Sequence, residues 1–364
     1  MSLIKFYVTP VLTLIVAAGI LAGGHWLWLG IGLIVTVMVG GDALLGKDFK
    51  LPNSRYPKLL EAPLFLALPI LTFLLATLAW SAADQDFLGL GAIVQCLTGF
   101  DILAYRIQNS AFDYLGAIFG VGLIVAGYGT NSAHELTHQF TKKFHYTVGR
   151  WLLSMSANAD FAIEHVFGHH VHVATKIDPA TALRGENVYS FFLRSTVGGH
   201  VSAWKIEFRR LERKKLSPLS LSNQMLTGYL MTLAWVTFFY AVARETGVVL
   251  FVLQAAFAKF ILEVVNYIEH YGLMRTPKEG VKPQHSWNSN RRMSFMILYS
   301  LVRHSAHHET AKVPFWKLNP YPNAPEMPQG YLTTIFICLI PPLWFRVMKP
   351  KLEQWDAQYS QSTH

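Results

Sequence analysis

Cysteine is nearly missing from this chain: among 364 residues there are two, Cys96 and Cys338, each inside an apolar run. Neither a disulfide framework nor a cysteine-ligated iron–sulfur cluster can be assembled from them. Charge is scarce as well. Asp, Glu, Lys and Arg make up 15% of the chain, against roughly 25% in soluble domains, while hydrophobic residues make up 52%. That balance excludes an ordinary soluble domain and points to a membrane protein. The net charge of +9 then reflects basic cytoplasmic loops rather than nucleic acid binding. No nucleotide-cradling loop is present. The glycines of GAIFGVG (116–122) fall inside an apolar run of membrane length, where small residues serve helix packing.

The apolar runs divide the chain. Residues 6–29 read as a retained spanning anchor, because a signal peptide has a shorter apolar region and a cleavage site. Residues 30–46 form a second span with Gly40 and Gly41 for close helix contact, and residues 62–80 a third. The basic segment KDFKLPNSRYPK (47–58) and the later Lys142, Lys143 and Arg150 fall on the cytoplasmic side by the positive-inside bias. That bias makes 112–133 the fourth span and leaves the apolar stretch 87–108 re-entrant or peripheral. Residues 147–164, interrupted by Ser, Asn and Asp, suit a helix at the cytoplasmic interface. The fifth and sixth spans, 225–243 and 247–268, form a hairpin broken by Arg244, Glu245 and Gly247. The run 331–349 contains Pro341 and Pro342 and reads as surface-lying. The expectation is an all-α integral membrane bundle of six transmembrane helices in a single domain, 1–364. Its cytoplasmic segments are 134–222 and 269–330.

Of 15 histidines, ten lie in four places, namely NSAHELTHQF (131–140), EHVFGHHVHVATKIDPA (164–180), NYIEHYGL (266–273) and LVRHSAHHE (301–309), and nine of these, all but His172, make up the motif set. This is the distribution of a metal site. On a helix, residues three or four apart share a face, so His134 with His138, His165 with His169, and His304 with His307 or His308 can each converge on one point. His170 is turned about 100° from His169 and suits a second metal. Nine imidazoles also exceed the roughly six positions around one octahedral ion, so two metals is the economical reading. HExxH alone is the signature of a zinc peptidase, but zinc uses three or four ligands and would leave the other histidines unexplained. A metal-transport protein would string ligands along a membrane path, whereas here they collect at one face. His270 stands alone in its motif, and the residues leave it open as ligand or structural histidine. His25, His145, His172, His200, His285 and His364 fall outside the set. Glu135, Glu164 and Glu269, like Glu309, each neighbour a motif histidine. Adjacent helix residues point apart, so each carboxylate is placed to orient a histidine of another segment, and the first three are the candidate catalytic carboxylates.

With these motifs assembled, the chain resembles the bacterial membrane alkane hydroxylase and xylene monooxygenase family of non-haem di-iron enzymes. The resemblance rests on HELTH (134–138), EHVFGHH (164–170) with VATKIDPAT (173–181), NYIEHYGL, HSWNS (285–289) and LVRHSAHH (301–308), and extends to APEMPQGY (324–331) and IPPLWF (340–345). It implies two iron ions held by nine histidine ligands, His134, His138, His165, His169, His170, His270, His304, His307 and His308. It further implies O2 as co-substrate and hydroxylation of a terminal methyl group of an n-alkane or alkyl aromatic to the primary alcohol. Electrons would come from a rubredoxin or ferredoxin-type protein served by an NAD(P)H reductase. The expected location is the bacterial inner membrane, multi-pass, in contact with membrane lipid and with the site at the cytoplasmic side. A lipid desaturase or hydroxylase is the nearest rival, sharing the histidine boxes but less of HYG and HSWN. Gln139 departs from the basic residue that often follows the first motif, and 87–110 reads as an insertion relative to shorter members.

Overall fold

A computed structural model describes residues 3–52 and 55–359; His364 lies outside the described residues. Among these, the only extended pairings are two isolated bridges, Lys47 with Arg291 and Asn288 with Glu326. Everything else regular is helical.

Five helices are long and apolar enough to cross a membrane: α1 (Ile4–Ala22), α2 (Gly24–Leu45), α3 (Pro57–Ser81), α5 (Ala111–Thr137) and α9 (Gln224–His270). The expected first span, 6–29, is corrected by its glycines. Gly23 and Gly24 take φ of +75° and +54°, a left-handed pair that ends α1 at Ala22 and starts α2 six residues before the expected 30. The fourth span is corrected too. It runs past 133 to Thr137 through a π turn at Val125–Thr130, so the first histidine motif sits on the span's own last turn. α2 and α5 cross where Gly30 meets Gly120. A methyl on either would lie 3.0 Å from the other's Cα, which is why this pair tolerates no side chain.

α9 has 47 residues but is not one rod. Arg244, at φ 51° and ψ −141°, turns the chain back on itself. Phe239 and Phe251 meet with their rings tilted, 5.3 Å between centroids, whereas twelve residues of straight helix would separate them by about 18 Å. The two arms are therefore an antiparallel pair, which brings the candidate crossings among the described residues to six. α4 (Phe87–Thr98), in the stretch read as re-entrant or peripheral, is about 18 Å long and too short to cross. A short helix, Ile102–Arg106, follows it and is tied back by the Arg106 guanidinium, which donates to Trp80 O and Gln85 O.

Between the spans lie α6 (Lys143–Ser154), α7 (Phe161–Glu164) with its π turn at His165–His169, and α8 (Val188–Arg213). After them come α10 (His304–Glu309), α11 (Tyr331–Cys338) and α12 (Pro341–Tyr359), the last two bent by 119° at the proline pair. Arg303, fully buried, fastens α10 to the loop after α2 by donating to Asp48 O, Lys50 O and Leu318 O. Distant stretches of chain are thereby held under one end of the bundle.

Candidate metal centre

The end of α5 carries His134 and, one turn on, His138, their ring centroids 4.8 Å apart. In the second motif the chain departs from α-helical spacing. The turn His165–His169 is a π turn, whose wider ring puts residues five apart in register rather than four. His165 Nε2 accordingly lies 3.0 Å from His170 Nε2, and the pairing expected from α periodicity, His165 with His169, is not made. His169 Nε2 instead approaches His308 Nε2 at 3.2 Å. On α10 the ordinary spacing holds, with His308 Nε2 2.9 Å from His304 Nε2. His307 turns the other way, its Nε2 3.0 Å from that of His170. His270, at the end of the second arm of α9, brings its Nε2 to 3.1 Å from His304 Nε2.

The nine side chains thus fall into two groups that could each hold a metal ion. One contains His134, His138, His165, His170 and His307; the other contains His169, His270, His304 and His308. His169 and His170, neighbours in sequence, serve different groups. Contacts near 3 Å between Nε2 atoms are what neighbouring positions give around an ion bound at about 2.1 Å. The Nε2 atoms of His134 and His138 are buried with no hydrogen-bond partner, which a metal would satisfy. Burial also disfavours charge on these rings. Desolvation pushes His138 down to about 3, and pushes His165, His170, His304, His307 and His308 well below the ordinary histidine value. The neutral form so favoured is the one that ligates a metal. The donor set fits iron: all-imidazole nitrogen suits it, and five donors exceed the four of structural zinc while leaving an octahedral position free.

The carboxylates behave differently from expectation. Glu135 Oε1 accepts from Phe315 N at 3.1 Å and so pins the segment after α10 to α5, orienting no histidine directly. Glu164 Oε1 is buried without a hydrogen-bond partner. Glu269 does approach a histidine of another segment, but its Oε2 lies 3.2 Å from His304 Nε2, the nitrogen that faces the group, so it stands where a further donor could. Tyr331 Oη donates to Glu269 Oε1 at 2.7 Å. The carboxylate that does orient a ring is Asp178, whose Oδ2 lies 2.9 Å from His169 Nδ1. Burial is the largest influence on His169 and disfavours its charge, yet Asp178, with Glu164 and Glu269 nearby, holds its pKa above the ordinary value. Asp178 stood in the quoted VATKIDPAT stretch, but no spacing rule singled it out.

The histidines set aside are elsewhere. His25 pairs with Asp113, His145 with Glu61 and His200 with Asp160. His285 is buried, and its Nδ1 accepts from Lys282 N at 3.1 Å. His172 is in neither group.

An apolar cavity of about 90 Å³ opens between the histidines and the membrane half of the bundle. His134, His165 and His304 form its floor with Glu269 and Tyr331, and its walls rise to Leu123 and Ile261. Along α9, Ile261 is nine residues from His270, or about 13 Å. The arrangement can therefore present the end of a slender apolar molecule to both groups.

Comparison with known proteins agrees with this architecture. The fatty acid desaturase family profile matches residues 109–337, a stretch that contains all nine histidines. An alkane 1-monooxygenase 2 of Pseudomonas aeruginosa is 33% identical over 91% of this chain and 85% of its own length. An alkane 1-monooxygenase 1 of the same organism is 35% identical over 87% and 80%. The xylene/toluene monooxygenase hydroxylase component XylM of Pseudomonas putida is 29% identical over 99% and 92%. Near-full-length identity at this level, joined to six apolar crossings and two buried imidazole clusters, places this multi-pass membrane protein in the alkane 1-monooxygenase family.

Proposed function

We propose that the two histidine groups hold two irons, and that the chain hydroxylates the terminal methyl group of a hydrocarbon to the primary alcohol. The observation that carries this reading is the junction of the buried imidazole clusters with the apolar cavity, since a hydrocarbon in the cavity would meet the metals end-on. Iron so held would supply the redox chemistry that activates O2 and breaks an unactivated C–H bond. The chain's own residues do the rest. Leu123, Ile261 and their neighbours bind the alkyl part and exclude water, Asp178 fixes the His169 ring, and Tyr331 holds Glu269 toward His304. The long match to monooxygenases favours hydroxylation over the desaturation implied by the broader profile.

Electrons come from a separate protein, of rubredoxin or ferredoxin type with its NAD(P)H reductase, because two cysteines cannot make an iron–sulfur cluster here. We place the site at the cytoplasmic side of the bacterial inner membrane, on the positive-inside bias. The test is metal quantitation on purified protein, with product analysis in the presence of carrier and reductase over a panel of n-alkanes and alkyl aromatics. Two irons per chain and primary alcohols are expected. One zinc and no iron, or alkenes as products, would overturn the proposal.

A further inference from the structure

Beside the apolar cavity lies a second hollow of about 30 Å³ with a different lining. Phe161, His165 and Asn266 border both spaces, so the wall between them is one residue thick. The hollow's lining is far richer in polar groups than that of the first cavity. Asp160, Glu164, Ser195, Lys259 and Glu263 face it, with His169 at its inner end.

Lys259 and Glu263 belong to the second arm of α9, inside a membrane span. Ionisable groups are costly there and mark functional paths. They are held in detail: Lys259 Nζ donates to Asn158 Oδ1 at 2.7 Å and lies 3.1 Å from Glu263 Oε1. Glu263 Oε2 accepts from Ser195 Oγ at 2.6 Å and from Asn266 Nδ2 at 3.3 Å. Toward the surface, Asp160 Oδ2 is 3.5 Å from Nδ1 of His200, whose side chain is 45% exposed, and His200 Nε2 meets Tyr229 Oη at 3.0 Å. Toward the metals, the buried Glu164 Oε1 is left without a partner. A space of this size holds a water, which needs two to four polar partners, and this hollow offers them. Polar groups therefore follow one another from a half-exposed histidine to the metal clusters.

The reaction needs such a route. Its balance is R–CH3 + O2 + 2 e⁻ + 2 H⁺ → R–CH2OH + H2O. One oxygen atom enters the C–H bond; the other leaves as water, taking two electrons from the reduced carrier and two protons from solvent. The largely apolar walls of the first cavity offer few partners for a chain of waters. We propose that the hollow bounded by Asp160, Lys259 and Glu263 is the proton inlet of this hydroxylase, filled by water and entered at His200. Glu263 is its relay carboxyl. Lys259 holds that carboxyl in place, and Glu164 anchors the inner water. This rests on the hydroxylase reading above.

The experiment compares Glu263→Gln, Glu263→Asp and the surface variant His200→Gln with wild type in the full membrane protein, measuring iron content, kcat, KM for a hydrocarbon and the D2O isotope effect on kcat. For Glu263→Gln, iron content and KM should match wild type while kcat falls on the order of 10²-fold and its solvent isotope effect grows. Glu263→Asp should recover most of the rate. His200→Gln, half-exposed and harmless to folding, should show a smaller fall with the same enlarged isotope effect. Unchanged kcat and isotope effect in Glu263→Gln and His200→Gln would overturn the inlet, as would losses that track loss of iron, which would make the cluster a structural ion network. Wild-type protein that binds iron but forms no alcohol would overturn the hydroxylase reading itself.

Discussion

His165 and His170 meet through their Nε2 atoms at 3.0 Å although five residues separate them, and this contact, not one between His165 and His169, sorts the second motif between two metal groups. The π turn that makes it sends His169 to the group of His270, His304 and His308. Single substitutions should therefore empty different sites. His165→Ala should lose the iron held with His134 and His138, and His169→Ala the iron held with His270. Each variant should keep about one iron per chain, and Mössbauer spectra of the two should show different residual species. Identical residual spectra would mean that the groups are not separate sites.

Asp178 tests how a ring is aimed. It is the only carboxylate among the described residues bonded to the outer nitrogen of a clustered histidine, and partners of that kind usually contribute 10–100-fold in metal affinity. Asp178→Asn keeps the size and an acceptor oxygen but removes the charge. Iron should be lost to a chelator roughly 10-fold faster than from wild type, and Asp178→Ala should be worse still. A chelation rate equal to wild type in both variants would show that the pair merely fills space.

The apolar cavity predicts a length effect. Ile261 lines the wall about 13 Å up α9 from His270, so Ile261→Phe should obstruct the far end and leave the histidine floor untouched. Turnover of long n-alkanes should drop by about tenfold relative to short ones, with iron content unchanged. A uniform loss across chain lengths would place the hydrocarbon elsewhere.

The proposed electron carrier would need a surface on which to dock. Phe167, inside the second histidine motif, shares an exposed groove with Ile206, Arg209 and Arg213 on α8, which brings a cationic face next to the metal groups. An acidic one-electron carrier should dock there, and its KM should rise with ionic strength. Arg209→Glu with Arg213→Glu should raise that KM on the order of tenfold at low salt and flatten the salt dependence. Hydrocarbon binding should not move.

What could be read from residues alone follows from what each signal depends on. Apolar runs and histidine clustering are properties of composition along the chain, so the six crossings and the gathering of motifs were legible, as was the turn at Arg244. The membership of each group was not. A π turn uses the same residues as an α turn, and only the packing of α7 against its neighbours selects it. Asp178 was invisible for a related reason: it is nine residues from His169, and a loop, not a helical period, brings them together. The boundary at Ala22 depends on two glycines taking positive φ, which an unbroken apolar run conceals.

His270 is where residue-level reading and structure differ most in force. Alone in its motif, it could have been a structural histidine. In the fold it closes the second arm of α9, and its Nε2 lies 3.1 Å from His304 Nε2, with His169 and His308 completing the group. Those partners come from α10 and from the π turn after α7, so the metal they share would clasp the carboxyl-terminal arm of α9 to segments 101 residues earlier and 34 residues later. Such a clasp adds stability only in the folded, loaded protein. His270→Ala should therefore lose one iron, abolish hydroxylation and unfold at lower temperature than wild type, while the two metal-stripped proteins should unfold within a narrower interval of each other. His285→Ala is the control, since His285 is equally buried but bonded to Lys282 N outside both groups; it should keep both irons. Full iron loading and near-normal turnover in His270→Ala would reduce the second group to three histidines and undo the nine-ligand reading.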